Sequence, residues 1–408
     1  MTRAERVEYN GRVELLAASW VVPGEGVPVR DALVAVEHGR ITWVGRPADA
    51  RRPPGPVRHL GRGVLLPGLV NAHCHLELSH LAAARAEGRQ GFVPWVESLV
   101  ERRARGDAGD ARARTQAAID ELMATGTVAV GDVSNELDHL DLLEASGLEA
   151  VVFYELLAWD PARAEAVLVG ARRKAGEAGR SRRRTRIKLA AHAPHSVSPP
   201  LLRALAAEGG PAAIHLAESE SESRFLAGGD AEWSAFLARR GQGHVVFAAP
   251  GTSPVRYLDA LGALPAGLVA AHCVRLDAHD RTLLARRGVF VAVCPRSNRS
   301  LGVGVPAVPE LLAAGVEVCL GTDSLASVES LDLLQDAAAL HREFPELEPA
   351  AIVRMATATG ARALGFDDLG TLAPGKRAAL AFAPAPGALD DPLDFLVSGD
   401  ARAGRVEA

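Results

Sequence analysis

Between about Val64 and Gly360, short apolar runs alternate with longer stretches in which apolar residues recur at helical spacing. Eight of the runs read as strands: GVLLPGLVNAHCH, TVAVGDVS, LEAVVFYEL, RIKLAAHAPHSV, AAIHLAE, GLVAAHC, VFVAVCPRS and VEVCLGTDS. Segments between them, among them TQAAIDELMATG, LLRALAAEGG, RTLLARRG and VPELLAAG, read as amphipathic helices that stop at glycine. Strictly alternating strands and helices imply a parallel sheet. Eight such units predict closure into a (β/α)8 TIM barrel.

The two ends of the chain have a different pattern. Residues 1–65 carry VELLAASWVV, DALVAVEHG and RITWVG, separated by Pro and Gly turns, which is an all-β signature. After Gly365 the chain turns β-like again in LGTLAPGKRAALAFAPAP. The expected architecture is therefore α/β. A barrel spans residues 66–362, and a small β-sandwich is built from both termini, its first part residues 1–65 and its second part residues 363–408.

A length of 408 residues exceeds one ordinary single-core domain and fits a large barrel with an accessory domain. Hydrophobic residues make up 48% of the chain, enough for a sizeable core. The formal net charge of -5 argues against a general nucleic-acid binder, which needs clustered positive charge. The basic run Ser181–Arg186 is the local exception and reads as a solvated loop before a strand. Cys74, Cys273, Cys294 and Cys319 all fall in apolar strand-like runs without CxxC spacing, so buried thiols are expected rather than a disulfide framework. The opening MTRAERVEYN lacks a signal-peptide core, and no apolar stretch is long enough to span a membrane. A cytoplasmic location is the expectation.

In such a barrel, catalytic residues lie at the C-terminal ends of the strands. His73 and His75 end the first strand, and their i, i+2 spacing puts both imidazoles on one face. His192 and His195 end the fourth strand, His215 and Glu218 the fifth, His272 the sixth and Asp323 the eighth. Histidine nitrogens with a carboxylate oxygen suit a divalent ion such as zinc, with iron or manganese as alternatives. One HxH is a weak signal. Several histidines and an aspartate at strand ends of one barrel argue for a metal site.

The motifs resemble a known family. PGLVNAHCHLELS is similar to the first-strand signature of the amidohydrolase superfamily. HLAESESE, AAHCVRLD, CPRSN, LGTDSLAS and the closing GTLAPGKRAAL resemble its cytosine, adenosine and S-adenosylhomocysteine deaminase-like branch. The resemblance makes His73, His75, His215 and Asp323 the ligands of one divalent ion, Glu218 the proton shuttle and His272 the partner of the attacking water. Asp323 would also take a proton from that water. It implies hydrolytic deamination of a cyclic amidine, in which metal-bound hydroxide attacks C6 of an aminopurine and ammonia leaves. His195 matches a substrate-contacting position. Lys188 lies too far from its strand end to bridge two metals, so a mononuclear site is expected.

Other residues keep two readings. His192 is either structural or a substrate contact, while His80 and His139 read as surface residues. Arg296 and Asn298 either bind substrate or hold a loop. The segment 91–100, with Trp95, is either a lid over a flat ring or ordinary helix packing. Within the branch, HCHLELS, GFVPWVESL, HAPHSVS and LGTDSLAS resemble the aminodeoxyfutalosine deaminases of menaquinone biosynthesis. Their heteroaromatic small-molecule substrate carries a carboxylate, for which Arg296 is the candidate partner. Alternatives are an adenosine, S-adenosylhomocysteine or guanine deaminase, a triazine-type hydrolase and a non-catalytic scaffold. A homodimer is the expectation for this superfamily.

Overall fold

The structure is a computed structural model, and it describes residues 13–88, 91–105, 110–241 and 249–408. The reading of the first residues as lacking a signal peptide lies outside them. Each of the eight strand runs forms a strand: β1 Leu69–Cys74, β2 Thr127–Ser134, β3 Glu149–Leu156, β4 Thr185–Ala191, β5 Ala212–Leu216, β6 Leu268–His272, β7 Phe290–Val293 and β8 Glu317–Leu320. They pair in parallel as two four-stranded sheets, β1 to β4 and β5 to β8, each in chain order. The His215 N–H donates to the His192 carbonyl at 2.8 Å, which ties the start of the second sheet to the end of the first. At the other seam, Cys74 bridges Asp323 in parallel.

Gly321 makes that second seam close. A Cβ there would stand 2.8 Å from both the Cβ and the carbonyl oxygen of His73, so no larger residue fits between β8 and β1. The main-chain amides of Thr322 and Asp323 both donate to the His73 carbonyl at 3.1 Å. The glycine therefore fixes the distance between two of the expected ligands.

The interstrand helices begin and end where local chemistry predicts. The helix Ala278–Arg287 opens on a capping box between Asp277 and Asp280 and ends at Gly288 in the left-handed region. Its buried Leu283 and Leu284 face the strands, in one cluster with Leu216, Ala270, Val291 and Val318.

The apolar run GVLLPGLVNAHCH is not one strand. It breaks at Gly68 into Gly63–Pro67, which belongs to the terminal sheet, and β1. Periodicity could not show the break, because both halves are buried throughout. The terminal β-region draws on both chain ends, as expected. Its described strands form one mixed seven-stranded sheet in which Leu380–Pro384 lies antiparallel to Gly63–Pro67.

Two further expectations meet the structure here. Arg183, Arg184 and Thr185 donate main-chain N–H groups to the Glu144 carboxylate, so the basic run is a capped turn leading into β4. All four cysteines are free and buried. Among the described residues no helix is long and apolar enough to cross a membrane.

Candidate metal centre and active site

The strand ends bring His73, His75, His215, His272 and Asp323 together. Ligand atoms of His73, His75 and Asp323 lie within 4.8 Å of one another, and so do those of His73, His215 and His272. All five residues are buried. His272 and Asp323 have φ of 70° and 62°, and Ala217 and Cys273 beside them are also left-handed. Such backbone is unfavourable for non-glycine residues and persists where surrounding contacts over-determine it.

The donor set fits a cation. Nε2 of His75 and Nε2 of His215 face each other at 3.1 Å. Nδ1 of His215 lies 3.1 Å from the His192 carbonyl and 3.3 Å from the Glu155 carboxylate, two acceptors, so its hydrogen sits on Nδ1. The Nε2 lone pair then points inward, and two nitrogens at this distance need a proton or a cation between them. Nε2 of His73 is buried with no hydrogen-bond partner. Oδ2 of Asp323 accepts from Ser297 at 2.5 Å and Ser327 at 3.0 Å, while Oδ1 lies 3.8 Å from His75 Nε2.

The charges point the same way. Burial disfavours a charged His215, but the hydrogen bond and charge of Glu155, with Glu218 and Asp323, pull its pKa up to about 9. Burial and the neighbouring imidazoles hold His73 well below its usual range. Carboxylates that draw a proton this strongly onto a buried imidazole favour a divalent ion in the proton's place.

Glu218 stands beside this cluster, with Oε1 3.6 Å from Nε2 of His272. Burial, with the charges of Asp323 and Glu222, pushes its carboxyl up to about 8 against the pull of His215. The Glu222 carboxylate accepts from the Glu218 amide at 2.8 Å and the Ala217 amide at 3.1 Å, which fixes the turn after β5. Nδ1 of His272 donates to Asn298 Oδ1 at 2.8 Å. Burial pulls the His272 pKa down to about 4. A neutral ring with its hydrogen on Nδ1 presents a lone pair at Nε2.

The other expected site residues are dispersed. Asn298 reaches the site through His272, with its own Nδ2 buried and unpartnered. His195 is buried, and neither ring nitrogen has a hydrogen-bond partner. Trp95 is buried on the helix Phe92–Arg105, where its indole N–H donates to the Ala326 carbonyl at 3.2 Å, pinning that helix to the loop after β8. Arg296 is turned elsewhere. Its guanidinium donates to the buried Asp336 carboxylate at 2.6 and 2.9 Å, and to Ser330 and the Asp332 carbonyl. That network commits its donors to buried acceptors and favours the second of its two readings, a residue that holds a loop.

Some functional neighbours escaped the sequence reading. Glu155 at the end of β3 sits between His192 and His215, with ligand atoms of all three within 4.8 Å. Its strand-end position was the available signal. His139 is buried rather than at the surface, with Nε2 2.6 Å from Asp132 Oδ2. The other Asp132 oxygen accepts from the Leu76 amide at 2.8 Å, so the pair anchors the chain just after His75. Lys188 lies by Gly209 and Gly210, around a cavity on the turn before β5.

Residues 64–404 match the amidohydrolase family. The chain belongs to that family. Its fold is the family's mixed α/β fold of TIM-barrel type, with parallel sheets. It is 34% identical over 364 residues to the aminodeoxyfutalosine deaminase of Deinococcus radiodurans, covering 86% of this chain and 85% of that protein. It is 31% identical over 376 residues to the 5-methylthioadenosine/S-adenosylhomocysteine deaminase of Pelotomaculum thermopropionicum, covering 86% and 79%. A crystal structure of an adenosine deaminase from Xanthomonas campestris with bound zinc superposes with a TM-score of 0.76 at 28% identity, covering 95% of this chain and 89% of that one. This member of the amidohydrolase family is accordingly a hydrolytic deaminase.

Proposed function

We propose that this enzyme removes the 6-amino group of a purine nucleoside by hydrolysis, with 6-amino-6-deoxyfutalosine as its substrate. The observation that carries the reading is the pairing of two buried groups poised for proton transfer. The Glu218 carboxyl has its pKa raised to about 8 and lies 3.6 Å from a neutral His272. An acid of that kind can protonate a purine ring nitrogen near neutral pH. Relatives that deaminate adenosine-like compounds support the substrate class.

His73, His75, His215 and Asp323 would hold one divalent ion, zinc by analogy with the Xanthomonas structure. When bound there, the ion supplies a water acidified to near neutrality. Glu218 gives its proton to the ring nitrogen next to C6, which makes C6 electrophilic. His272, held on Asn298 through Nδ1, accepts a hydrogen bond from the attacking water at Nε2. Water oxygen bonds to C6 as one of its protons passes to Asp323. The Glu218 carboxylate relays that proton to the amine, the C6–N bond breaks and ammonia leaves. The proton left on the new C6 hydroxyl returns to Glu218 as C6 becomes a carbonyl. Ser297 and Ser327 hold one Asp323 oxygen so that the other faces the site. Trp95 ties the helix Phe92–Arg105 to the loop after β8, through the Ala326 carbonyl.

The same reading takes the two parallel sheets as one closed (β/α)8 barrel, supported by the contacts at both seams. It divides the chain at 1–65, 66–362 and 363–408, although the strand Gly63–Pro67 runs two residues past the first boundary. The test compares specificity constants for aminodeoxyfutalosine, adenosine, S-adenosylhomocysteine, guanine and a chlorotriazine. The expected order puts aminodeoxyfutalosine first. A clear preference for any of the others overturns the substrate assignment and leaves the metal site standing.

A further inference from the structure

A second group of unsatisfied polar atoms lies beside the proposed centre. His192 leads to it, with its ring centroid 5.1 Å from that of His215 and 5.9 Å from that of His195. The His195 ring lies 4.6 Å from the Trp233 ring, and both residues are 4% exposed. Trp233 sits in the first turn of the helix Ala231–Arg239, which Asp230 caps by accepting from the amides of Glu232 and Trp233 at 3.0 Å. Its ring also meets that of Phe236 nearly at right angles, with the centroids 5.3 Å apart. Three buried polar atoms on the two rings lack a partner: Nδ1 and Nε2 of His195 and Nε1 of Trp233. Buried polar groups are almost always paired, so three unpaired atoms on touching rings call for a ligand that pairs them.

The chemistry of that ligand follows from what the three atoms need. The indole N–H only donates, whereas a neutral imidazole offers one donor and one acceptor. An apolar ring laid against them would leave all three unsatisfied. An anion could accept from two but could not donate to the third. Oε1 of Glu222 stands 3.9 Å from His195 Nδ1, and its carboxylate is held in place by the Ala217 and Glu218 amides. A second negative charge beside that buried carboxylate is unfavourable. Hydroxyl groups both donate and accept and carry no charge.

We propose that Trp233 and His195 form the subsite for the hydroxyl groups of the substrate's sugar. The assignment rests on the nucleoside reading above and deepens it. It makes Trp233 a specificity-determining residue, and it places the carboxylate end of any charged substrate away from this pair.

The experiment compares adenosine with 2′,3′-dideoxyadenosine on the metal-loaded wild type, Trp233→Phe, His195→Phe and His195→Gln. Melting temperatures confirm that each variant is folded. Trp233→Phe keeps the ring and removes only the donor. A lost neutral hydrogen bond corresponds to about a three- to tenfold effect. The expected result is that kcat/KM for adenosine falls about three- to tenfold further than for the dideoxy compound, chiefly through KM. His195→Phe should show the same differential, and His195→Gln, which retains a donor and an acceptor, a smaller one. Equal losses on both nucleosides overturn the proposal and leave the nucleoside reading intact. A wild type that releases ammonia from neither nucleoside nor from aminodeoxyfutalosine overturns both. A Trp233→Phe variant that fails to fold passes the decision to the two His195 variants.

Discussion

One oxygen of the Glu155 carboxylate stands 3.3 Å from Nδ1 of His215, while the other accepts from the Asn135 amide at 2.9 Å. The carboxylate thereby sets which nitrogen of His215 faces His75. Partners of this kind orient metal-bound imidazoles and typically change metal affinity about 10–100-fold when removed. Glu155→Gln should therefore weaken zinc binding by about that factor. Competition with a chelator of known affinity reads the change, and unchanged affinity would count against the role.

His73→Ala and Asp323→Ala should each abolish stoichiometric metal and activity together, since each leaves an incomplete shell. Elemental analysis of the purified variants reads this directly. Full metal content in either would remove that residue from the ligand set.

Glu218→Gln should keep the metal and lose turnover by about 10²–10⁴-fold, the usual worth of a general acid–base group. The amide has nearly the same shape and cannot shuttle a proton. A rate close to wild type would place the shuttle on another residue.

Arg296→Ala should act on stability. Removing one partner of a buried ion pair costs about 3–5 kcal/mol, and the lower end applies because the arginine side chain is 19% exposed. Denaturant unfolding measures the loss. The specificity between aminodeoxyfutalosine and adenosine should be unchanged among molecules that remain folded. A selective loss on the carboxylate-bearing substrate would restore Arg296 as a binding residue.

The buried His139–Asp132 pair gives a pH signature. Burial alone would depress the His139 pKa, but the charge and hydrogen bond of Asp132, with Glu77 and Asp138 nearby, raise it above its ordinary value. A raised histidine stabilises the fold fully below the unfolded-state value of about 6.5 and loses that contribution as pH rises through the folded-state value. His139→Gln should thus destabilise more at pH 6 than at pH 9. A stability difference that is flat or grows with pH would contradict the pairing.

The alternation of apolar runs and helical stretches was enough to give all eight parallel strands and the polar residues at their ends, because both are local. A strand's period and its last polar residue are written in consecutive positions, as in AAIHLAE and VEVCLGTDS. Which partner a side chain takes is decided across the fold. Asn71 donates to Thr322 at 2.7 Å across 251 residues, and Arg296 meets Asp336 forty residues on. That is why the sequence left Arg296 between two readings, made His139 look exposed and left Glu155 unremarked. Gly68 divides one apolar run between two sheets for the same reason: a Cβ there would stand 2.2 Å from Val128, a neighbour that only the folded chain supplies.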